Sequence, residues 1–142
     1  MKNKHLAPTL KYLIPFIFTI VMVLNGCTKN AGTSAPTNVD FTLDLNSSSN
    51  SALSKNGGSM GINNILIIRY DNGLTKRFYA TQLSCTYAQC NLSYLSSDYT
   101  IQCPCHGCLF DVVSGTCLQG PAIKPLGIYK TSVNGNSLRI YE

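Results

Sequence analysis

The chain has 142 residues, of which 11 are Lys or Arg and 6 are Asp or Glu, and its formal net charge is +5. Three of the lysines lie in the first eleven residues, and the remainder keeps eight basic against six acidic side chains. This near-neutral remainder gives no reason to expect nucleic-acid binding, which needs a clustered basic surface. About 100 ordered residues hold one hydrophobic core, so we expect a single domain.

Residues 1–26 have the pattern of an export signal. Lysines at the start precede an uncharged, largely apolar run of twelve residues, 13–24. A membrane-spanning helix needs about 20 apolar residues, so the run is typical of a cleaved signal, and an uncleaved N-terminal anchor is the alternative. The tetrad Leu24-Asn25-Gly26-Cys27 resembles the lipobox of bacterial lipoproteins, in which the cysteine receives lipid. We therefore expect Cys27 to anchor an exported protein in the bacterial cell envelope, on the periplasmic or surface side.

Residues 27–39 predict a flexible linker, because short polar residues with Gly and Pro cannot bury enough surface to order themselves. The domain is expected at residues 40–142. Phe41, Leu43 and Leu45 alternate with polar residues, as a half-buried strand requires. Runs rich in β-branched and aromatic residues, each bounded by turn signals, predict further strands at 65–70, 76–83, 99–102, 109–113, 128–133 and 138–141.

The stretch 47–59 is rich in Ser, Asn and Gly and predicts a loop. No segment after the signal has a period of 3.6 residues. Short strands joined by turns favour an all-β antiparallel sandwich or small barrel. Catalytic patterns are missing from the sequence: no Gly-x-Ser-x-Gly and no phosphate-binding glycine motif occurs. Asp111, the carboxylate nearest the single mature histidine, is expected to be a turn residue.

Two short boxes concentrate the chemistry of the chain. They read Cys85-Thr-Tyr-Ala-Gln-Cys90 and Cys103-Pro-Cys-His-Gly-Cys108. Thiolate and imidazole are the ligands of zinc and of iron–sulfur clusters. Six cysteines remain after Cys27, an even number that equally suits a disulfide framework in an oxidising compartment. The residues alone leave both possibilities open.

The boxes resemble the two cluster-binding boxes of Rieske [2Fe–2S] proteins, usually Cys-Thr-His-x-x-Cys and Cys-Pro-Cys-His-Gly-Ser. The likeness continues in Phe110-Asp111, Ser114-Gly115 and Gly120-Pro121-Ala122, and it covers residues 65–141. The resemblance implies a Rieske-like antiparallel sandwich or small barrel with an inserted two-loop cluster-binding subdomain. It also implies a [2Fe–2S] cofactor.

Roles for five residues follow from this resemblance. Cys85 and Cys103 would ligate one iron, and His106 would ligate the other. Cys90 and Cys105 would form a disulfide between the two loops.

Two positions depart from the family pattern. Tyr87 stands where the family has its first histidine, and the only other histidine of the chain, His5, lies in the predicted signal. Cys108 stands where many members have serine. The fourth ligand of a cluster would therefore be Tyr87 or Cys108.

Three interpretations follow. In the first, the chain is a lipid-anchored Rieske-type electron carrier with non-standard ligation, which serves a redox partner protein as a component of an oxidoreductase system and is no enzyme alone. We favour it because Pro104, Gly107 and the loop at 120–122 have no evident use in a disulfide framework.

In the second interpretation the fold persists without a cluster, as a binding or structural lipoprotein. Three disulfides would hold it: Cys85–Cys103, Cys90–Cys105 and Cys108–Cys117. In the third, Cys85, Cys90, Cys105 and Cys108 bind zinc, which accepts four thiolates tetrahedrally.

Overall fold

The computed structural model describes residues 34–142, which form two antiparallel sheets and a short 3-10 helix, Ser48–Ser54. The predicted signal, the lipidation site Cys27 and most of the predicted linker lie outside these residues. The strands are β1 (Asp40–Asp44), β2 (Ser59–Ile62), β3 (Ile65–Asp71), β4 (Lys76–Gln82), β5 (Ser93–Leu95), β6 (Thr100–Cys103), β7 (Cys108–Asp111), β8 (Cys117–Gln119), β9 (Ile128–Asn134) and β10 (Ser137–Tyr141). The all-β prediction is confirmed.

The larger sheet has six strands in the order β1-β10-β9-β4-β3-β2. The first and last strands are neighbours, because β1 pairs with β10 along its whole length, from Asp40 opposite Tyr141 to Asp44 opposite Ser137. β9 lies between β10 and β4, and its Tyr129 is opposite Ala80 of β4. The sheet therefore joins segments that are far apart in sequence.

β3 divides the interior into two cores. Its first four residues are all buried, and their side chains alternate between the two faces of the strand. Ile65 and Ile67 pack with Leu138 and other residues of the larger sheet. Leu66 and Ile68 pack on the opposite side, in the core shared with the smaller sheet. The continuous apolar run is explained by this burial on both faces.

The smaller sheet has four strands in the order β5-β6-β7-β8. Ile101 on β6 lies opposite Phe110 on β7, and both side chains are fully buried. The β7–β8 pairing shifts register between Leu109 and Phe110, which marks a β-bulge. This sheet carries the two loops that contain the cysteine boxes.

Local structure differs from the sequence prediction at four places. The predicted loop at 47–59 contains the 3-10 helix, which is fixed by a hydrogen bond from Asn50 Nδ2 to the Asp44 carbonyl (2.8 Å) and by Arg69, whose guanidinium donates to the Leu53 and Ser54 carbonyls. Strands β2, β5 and β8 were not predicted. Each has only three or four residues, too few to show a two-residue alternation.

The end of the predicted linker packs against the domain. The Tyr129 hydroxyl donates a hydrogen bond to the Pro36 carbonyl at 2.8 Å, and Val39 is buried in the core of the larger sheet. Ordered packing therefore begins before residue 40. Between residues 34 and 142 there is no helix with the length and hydropathy to cross a membrane.

Candidate metal centre

The two cysteine boxes form loops at the same end of the smaller sheet, one leading into β5 and the other joining β6 to β7. In the first loop the Cys85 amide donates to the Cys90 carbonyl (2.8 Å) and the Gln89 amide donates to the Cys85 carbonyl (3.1 Å). In the second, the Gly107 amide donates to the Cys103 carbonyl (3.0 Å). Gly107 has a φ of +65°, which a residue without a Cβ adopts at little cost.

A disulfide between Cys90 and Cys105 ties the tips of the two loops together. The two residues are 15 positions apart in sequence and their Cα atoms are 6.3 Å apart, within the usual range for a disulfide. This is the pair that the resemblance implied, and the structure contains it. The crosslink fixes the spacing between the first and second loop.

Two free thiols, those of Cys85 and Cys103, belong to the same two loops and have no exposed surface. They are close enough to hydrogen-bond to each other. Burial raises the pKa of the Cys103 thiol above its ordinary value, and the hydrogen bond with Cys85 raises this pKa further. The structure thus brings together the two predicted ligands of the inner iron.

Two rings, those of Tyr87 and His106, lie at the surface of the two loops. Their centroids are 5.1 Å apart and their planes meet at 79°, an edge-to-face contact. Both residues are exposed, and 47% of Tyr87 is accessible. Tyr87 therefore occupies the place beside His106 that the resemblance assigns to a second imidazole.

Cys108, the other candidate for the fourth ligand, is fully buried on β7 opposite Cys103. It lies under the loop at 120–122: a Cβ added to Gly120 would come within 2.7 Å of the Cys108 Cα and 3.0 Å of its Sγ. Gly120 and this thiol are therefore packed against each other. Cys108 does not share the exposed position of the two rings.

The predicted Cys108–Cys117 disulfide is not formed, since both residues are free thiols. Cys117 lies opposite Phe110, two residues further along β7 than Cys108. Such diagonal neighbours have Cα atoms about 7–8 Å apart, beyond the ordinary reach of a disulfide. The Cys117 thiol instead donates to the Gln119 carbonyl at 3.3 Å. Cys85 and Cys103 are also free, so the three-disulfide framework is absent.

The loop between β8 and β9 closes the side of the site. Thr86, next to Tyr87 in the first box, donates its hydroxyl hydrogen to the Lys124 carbonyl at 2.8 Å. Ala122 is buried in the core of the smaller sheet, whereas Ile123 is 93% exposed. The sequence analysis assigned no role to Thr86, and only its place next to Tyr87 in the box could have suggested one.

The hairpin between β7 and β8 is held by Asp111. Its Oδ1 accepts hydrogen bonds from the Val113 amide (3.1 Å), the Ser114 amide (2.7 Å) and the Ser114 hydroxyl (2.7 Å). The bonds from Ser114 hold the pKa of Asp111 below its ordinary value of 3.8. Asp111 was predicted to be a turn residue; it is the last residue of β7, and its side chain caps the turn that follows.

The possible donors of the two loops fall into two pairs. In the described part of the chain, no group of three or more His, Cys, Asp or Glu side chains surrounds one ion position. The zinc set is also unavailable, because Cys90 and Cys105 are joined in the disulfide and offer no thiolates. A [2Fe–2S] cluster takes its ligands in two pairs, one for each iron. The buried thiol pair and the exposed ring pair fit that requirement.

Comparison with known proteins points the same way. Residues 44–130, more than half of the chain, match the Rieske [2Fe-2S] domain. The 3-phenylpropionate/cinnamic acid dioxygenase ferredoxin subunit of Escherichia coli (strain K12) is 35% identical over 65 residues, which are 44% of this chain and 61% of that subunit. The match therefore spans less than two thirds of this relative.

Two solved structures extend the comparison. The plasma membrane Rieske protein of the cyanobacterium Synechocystis PCC 6803 superimposes with a TM-score of 0.50 and 27% identity, over 59% of this chain and 84% of that one. The ferredoxin of carbazole 1,9a-dioxygenase from Nocardioides aromaticivorans IC177 has a TM-score of 0.50 and 21% identity, over 76% and 98%. At that identity it shows the fold alone. From the domain match and the two-loop geometry together, the chain belongs to the Rieske [2Fe–2S] domain family.

Proposed function

We propose that this Rieske protein carries a [2Fe–2S] cluster and transfers single electrons, with Cys85 and Cys103 on the inner iron and His106 and Tyr87 on the outer iron. The contact between the Tyr87 and His106 rings, 5.1 Å between centroids, is the observation that carries the proposal. It supplies a paired donor set at the surface, and the backbone amide of His106 hydrogen-bonds the buried Cys103 thiol. Bound there, the cluster would supply reversible one-electron oxidation and reduction near the protein surface.

Tyr87 is a better fourth ligand than Cys108 because of where the two residues lie. The outer iron must be reached from the side of His106, which is exposed. Tyr87 is exposed and in contact with that ring, whereas Cys108 is fully buried on β7. A phenol has an ordinary pKa of about 10, so Tyr87 must lose its proton to become a good iron ligand.

The protein part of the centre controls access and charge. Burial of Cys85 and Cys103 excludes water from the inner side, and the disulfide between Cys90 and Cys105 keeps the loops at a fixed separation. The exposed rings leave the outer side accessible to another molecule. This arrangement suits an electron carrier, since it protects the thiolates while it keeps one edge of the site at the surface.

We propose that a redox partner protein docks on this exposed edge. The E. coli relative is the ferredoxin subunit of a dioxygenase, which supports a partner of the oxidoreductase class. Ile123, 93% exposed, lies with Tyr87 along a groove of about 590 Å³ that also contains Lys124 and Pro125. Exposed apolar side chains next to a redox site are typical of a transient protein interface.

We also propose that the protein is exported and held at a membrane by lipid on Cys27, with residues 1–26 as the signal. The support is the sequence alone: the basic start, the short apolar run and the tetrad before Cys27. Cys27→Ser in the full chain should release the protein from the membrane fraction while the Rieske domain stays folded. A variant that still sediments with membranes would contradict lipid anchoring.

The central experiment is anaerobic purification followed by measurement of iron, visible absorption and electron paramagnetic resonance. We expect two irons per chain, a coloured protein and, after reduction, the signal of a [2Fe–2S] centre. Tyr87→Phe should lose the iron, because it removes the phenol oxygen and keeps the ring. Tyr141→Phe is the matched control, since Tyr141 lies on β10 outside both loops, and it should keep the iron.

The cluster-free module is the competing function, and it would keep the Cys85 and Cys103 thiols protonated and hydrogen-bonded to each other. In this case the native protein would be colourless under all reconstitution conditions. The variant Tyr87→His distinguishes the electron carrier from the cluster-free module. If Tyr87→His takes up a cluster that the native chain does not take up, the native protein is a degenerate Rieske domain.

A further inference from the structure

A cleft lined by four tyrosines lies at the other end of the smaller sheet, away from the cysteine loops. Its volume is about 230 Å³. Both sheets contribute to it, and the tyrosines are Tyr70 on β3, Tyr79 on β4, Tyr94 on β5 and Tyr99 immediately before β6. Asp111, Val112 and Val113 complete the lining. Half of the eight tyrosines of the chain thus meet in one place that the metal centre does not use.

The rings are arranged around the cleft and are not stacked on one another. Tyr70 and Tyr99 meet edge to face, with centroids 5.2 Å apart and planes at 81°. Tyr70 and Tyr79 are 6.3 Å apart and inclined at 52°. Inclined rings present electron-rich faces in several directions, and each face attracts a cation within about 6 Å of its centroid.

The backbone of Tyr99 is unusual. Its φ is +53°, a left-handed conformation that costs energy for a residue with a Cβ, and glycine or asparagine would adopt it more easily. The ring is nevertheless 54% exposed. Burial of this side chain therefore does not explain the strained conformation. Its consequence is that an aromatic face stands at the mouth of the cleft, against Tyr70.

The cleft also contains a negative charge. The three hydrogen bonds to Asp111 all reach Oδ1, and they hold the pKa of the carboxyl below its ordinary value, so Asp111 is ionised at neutral pH. Burial raises the pKa of Tyr94, so this phenol stays neutral. The nearest basic side chain by register, Arg77, lies opposite Tyr70 across the β3–β4 pair, but it is exposed and does not line the cleft.

We propose that the tyrosine cleft binds a compact organic cation, of the quaternary or methylated ammonium class. Aromatic faces around a carboxylate are the arrangement that proteins use for such groups, because the rings and the carboxylate both attract a diffuse positive charge that is weakly hydrated. The size agrees, since pockets for drug-sized ligands occupy about 300–1,000 Å³ and this cleft is smaller. The site is independent of the cluster.

The test is a titration of the full-length chain with choline and with 3,3-dimethylbutan-1-ol, its neutral carbon isostere. The chain has eight tyrosines and no tryptophan, so its intrinsic fluorescence reports on tyrosine directly. We expect choline to change the fluorescence saturably and the isostere to bind at least tenfold more weakly. Equal binding of the two would show an apolar pocket, and an absence of binding up to about 50 mM choline would show no site. Either result overturns the proposal.

Two variants and a control locate the site. Tyr99→Asn removes one ring with a residue that tolerates the positive φ, and Asp111→Asn removes the charge with an amide oxygen that can accept the same hairpin hydrogen bonds. Each should weaken choline binding about 3- to 30-fold. Tyr141→Leu should not, because Tyr141 lies beside Lys130 and Arg139 on the larger sheet. An equal loss of choline binding in all three variants would overturn the assignment to this cleft.

A free cation and a lipid head group share this chemistry, and vesicles distinguish them. If the source is a head group, phosphatidylcholine vesicles should compete with choline for the wild-type protein, and vesicles of phosphatidylglycerol should not. If it is a free cation, neither kind of vesicle should compete. Competition by both kinds equally, unaffected by Tyr99→Asn, would mean that the fluorescence reports general membrane contact, and the proposal would be wrong.

Discussion

The two sheets of this domain are stabilised in different ways. The larger sheet surrounds a core of aliphatic and aromatic side chains, among them Ile65, Ile67, Leu138 and Ile140, each without exposed surface. The smaller sheet has strands of three or four residues, and its core includes the thiols of Cys85, Cys103 and Cys108. Strands that short have little pairing energy of their own. The site therefore depends on a crosslink and on a few large apolar side chains, whereas the larger sheet depends on apolar area.

The largest expected effect on stability comes from truncating one buried side chain in each of the two cores. Phe110→Ala removes a fully buried ring from the smaller sheet and should lower the free energy of unfolding by about 3–5 kcal/mol. Ile67→Ala removes a fully buried side chain from the larger sheet and should lower it by about 2–5 kcal/mol. Urea unfolding measures both. Because Phe110 packs with Cys85 and Cys103, only Phe110→Ala should also lose iron.

The iron content of the folded protein is what should distinguish Phe110→Ala from Ile67→Ala. If Ile67→Ala loses as much iron as Phe110→Ala at equal fraction folded, the two cores are not separable and the comparison fails. Measurement at a temperature at which both variants are mostly folded keeps loss of iron distinct from unfolding.

The crosslink should have the next largest effect. Cys90→Ser opens a loop of 15 residues, and loss of that constraint should cost roughly 3 kcal/mol. Iron binding should weaken as well, since the two loops lose their fixed spacing. Cys117→Ser is the matched control, because Cys117 is a free, half-buried thiol whose hydrogen bond to the Gln119 carbonyl a hydroxyl can also make. If Cys117→Ser lowers the free energy of unfolding and iron binding as much as Cys90→Ser does, the disulfide is not the cause.

A change at the exposed ring pair should leave stability nearly unaltered and move the redox potential. Rieske centres have potentials of about −150 to +300 mV, against about −400 mV for plant-type clusters with four cysteines. If Tyr87 is a ligand as proposed, its phenolate would add negative charge that stabilises the oxidised form, so the native potential should lie between these ranges. Tyr87→His replaces the anion with a neutral imidazole and should raise the potential. It should also make the potential more pH-dependent, because a second imidazole can titrate.

Protein-film voltammetry from pH 6 to pH 10 measures both quantities. A potential that is the same in the native protein and in Tyr87→His would mean that Tyr87 is not a ligand. Cys108→Ser is the companion variant, since it tests the buried alternative. We expect it to retain the native potential within a few tens of millivolts, because Cys108 lies away from the exposed rings.

The sequence predicted the longer strands and the boxes because those signals are local. The strands predicted at 65–70 and 128–133 correspond to β3 and β9, whose β-branched and aromatic residues and flanking turn residues lie close together in sequence. The 3-10 helix was missed because its partners, Asp44 and Arg69, are outside the predicted loop at 47–59. Strands β2, β5 and β8 exist only because neighbouring strands pair with them.

For the site as well, local sequence signals were predictive and features that depend on distant contacts were not. The resemblance implied the Cys90–Cys105 disulfide, but it left Tyr87 and Cys108 as equal candidates, because their exposure in the folded chain cannot be seen in the sequence. The predicted Cys108–Cys117 bridge is not formed because Cys117 pairs opposite Phe110, and the residue types do not reveal that register. The tyrosine cleft is likewise assembled from four segments that are separate in sequence.

The smallest expected effect is on stability at low pH, to which one carboxylate of each sheet contributes. Hydrogen bonds from Ser114 lower the pKa of Asp111, and a hydrogen bond from Arg139 lowers the pKa of Asp40. A carboxyl whose folded-state pKa is depressed contributes stability above its ordinary value of 3.8, and this contribution disappears as pH falls through the lower folded-state pKa. Wild-type stability should therefore fall below about pH 4. Asp111→Asn keeps the hairpin acceptor but has no proton to bind, so the slope of unfolding free energy against pH between 2 and 5 should be shallower, and not flat because Asp40 remains. Urea midpoints at several pH values measure this slope, and an unchanged slope in Asp111→Asn would show that the hairpin carboxylate does not contribute to acid sensitivity.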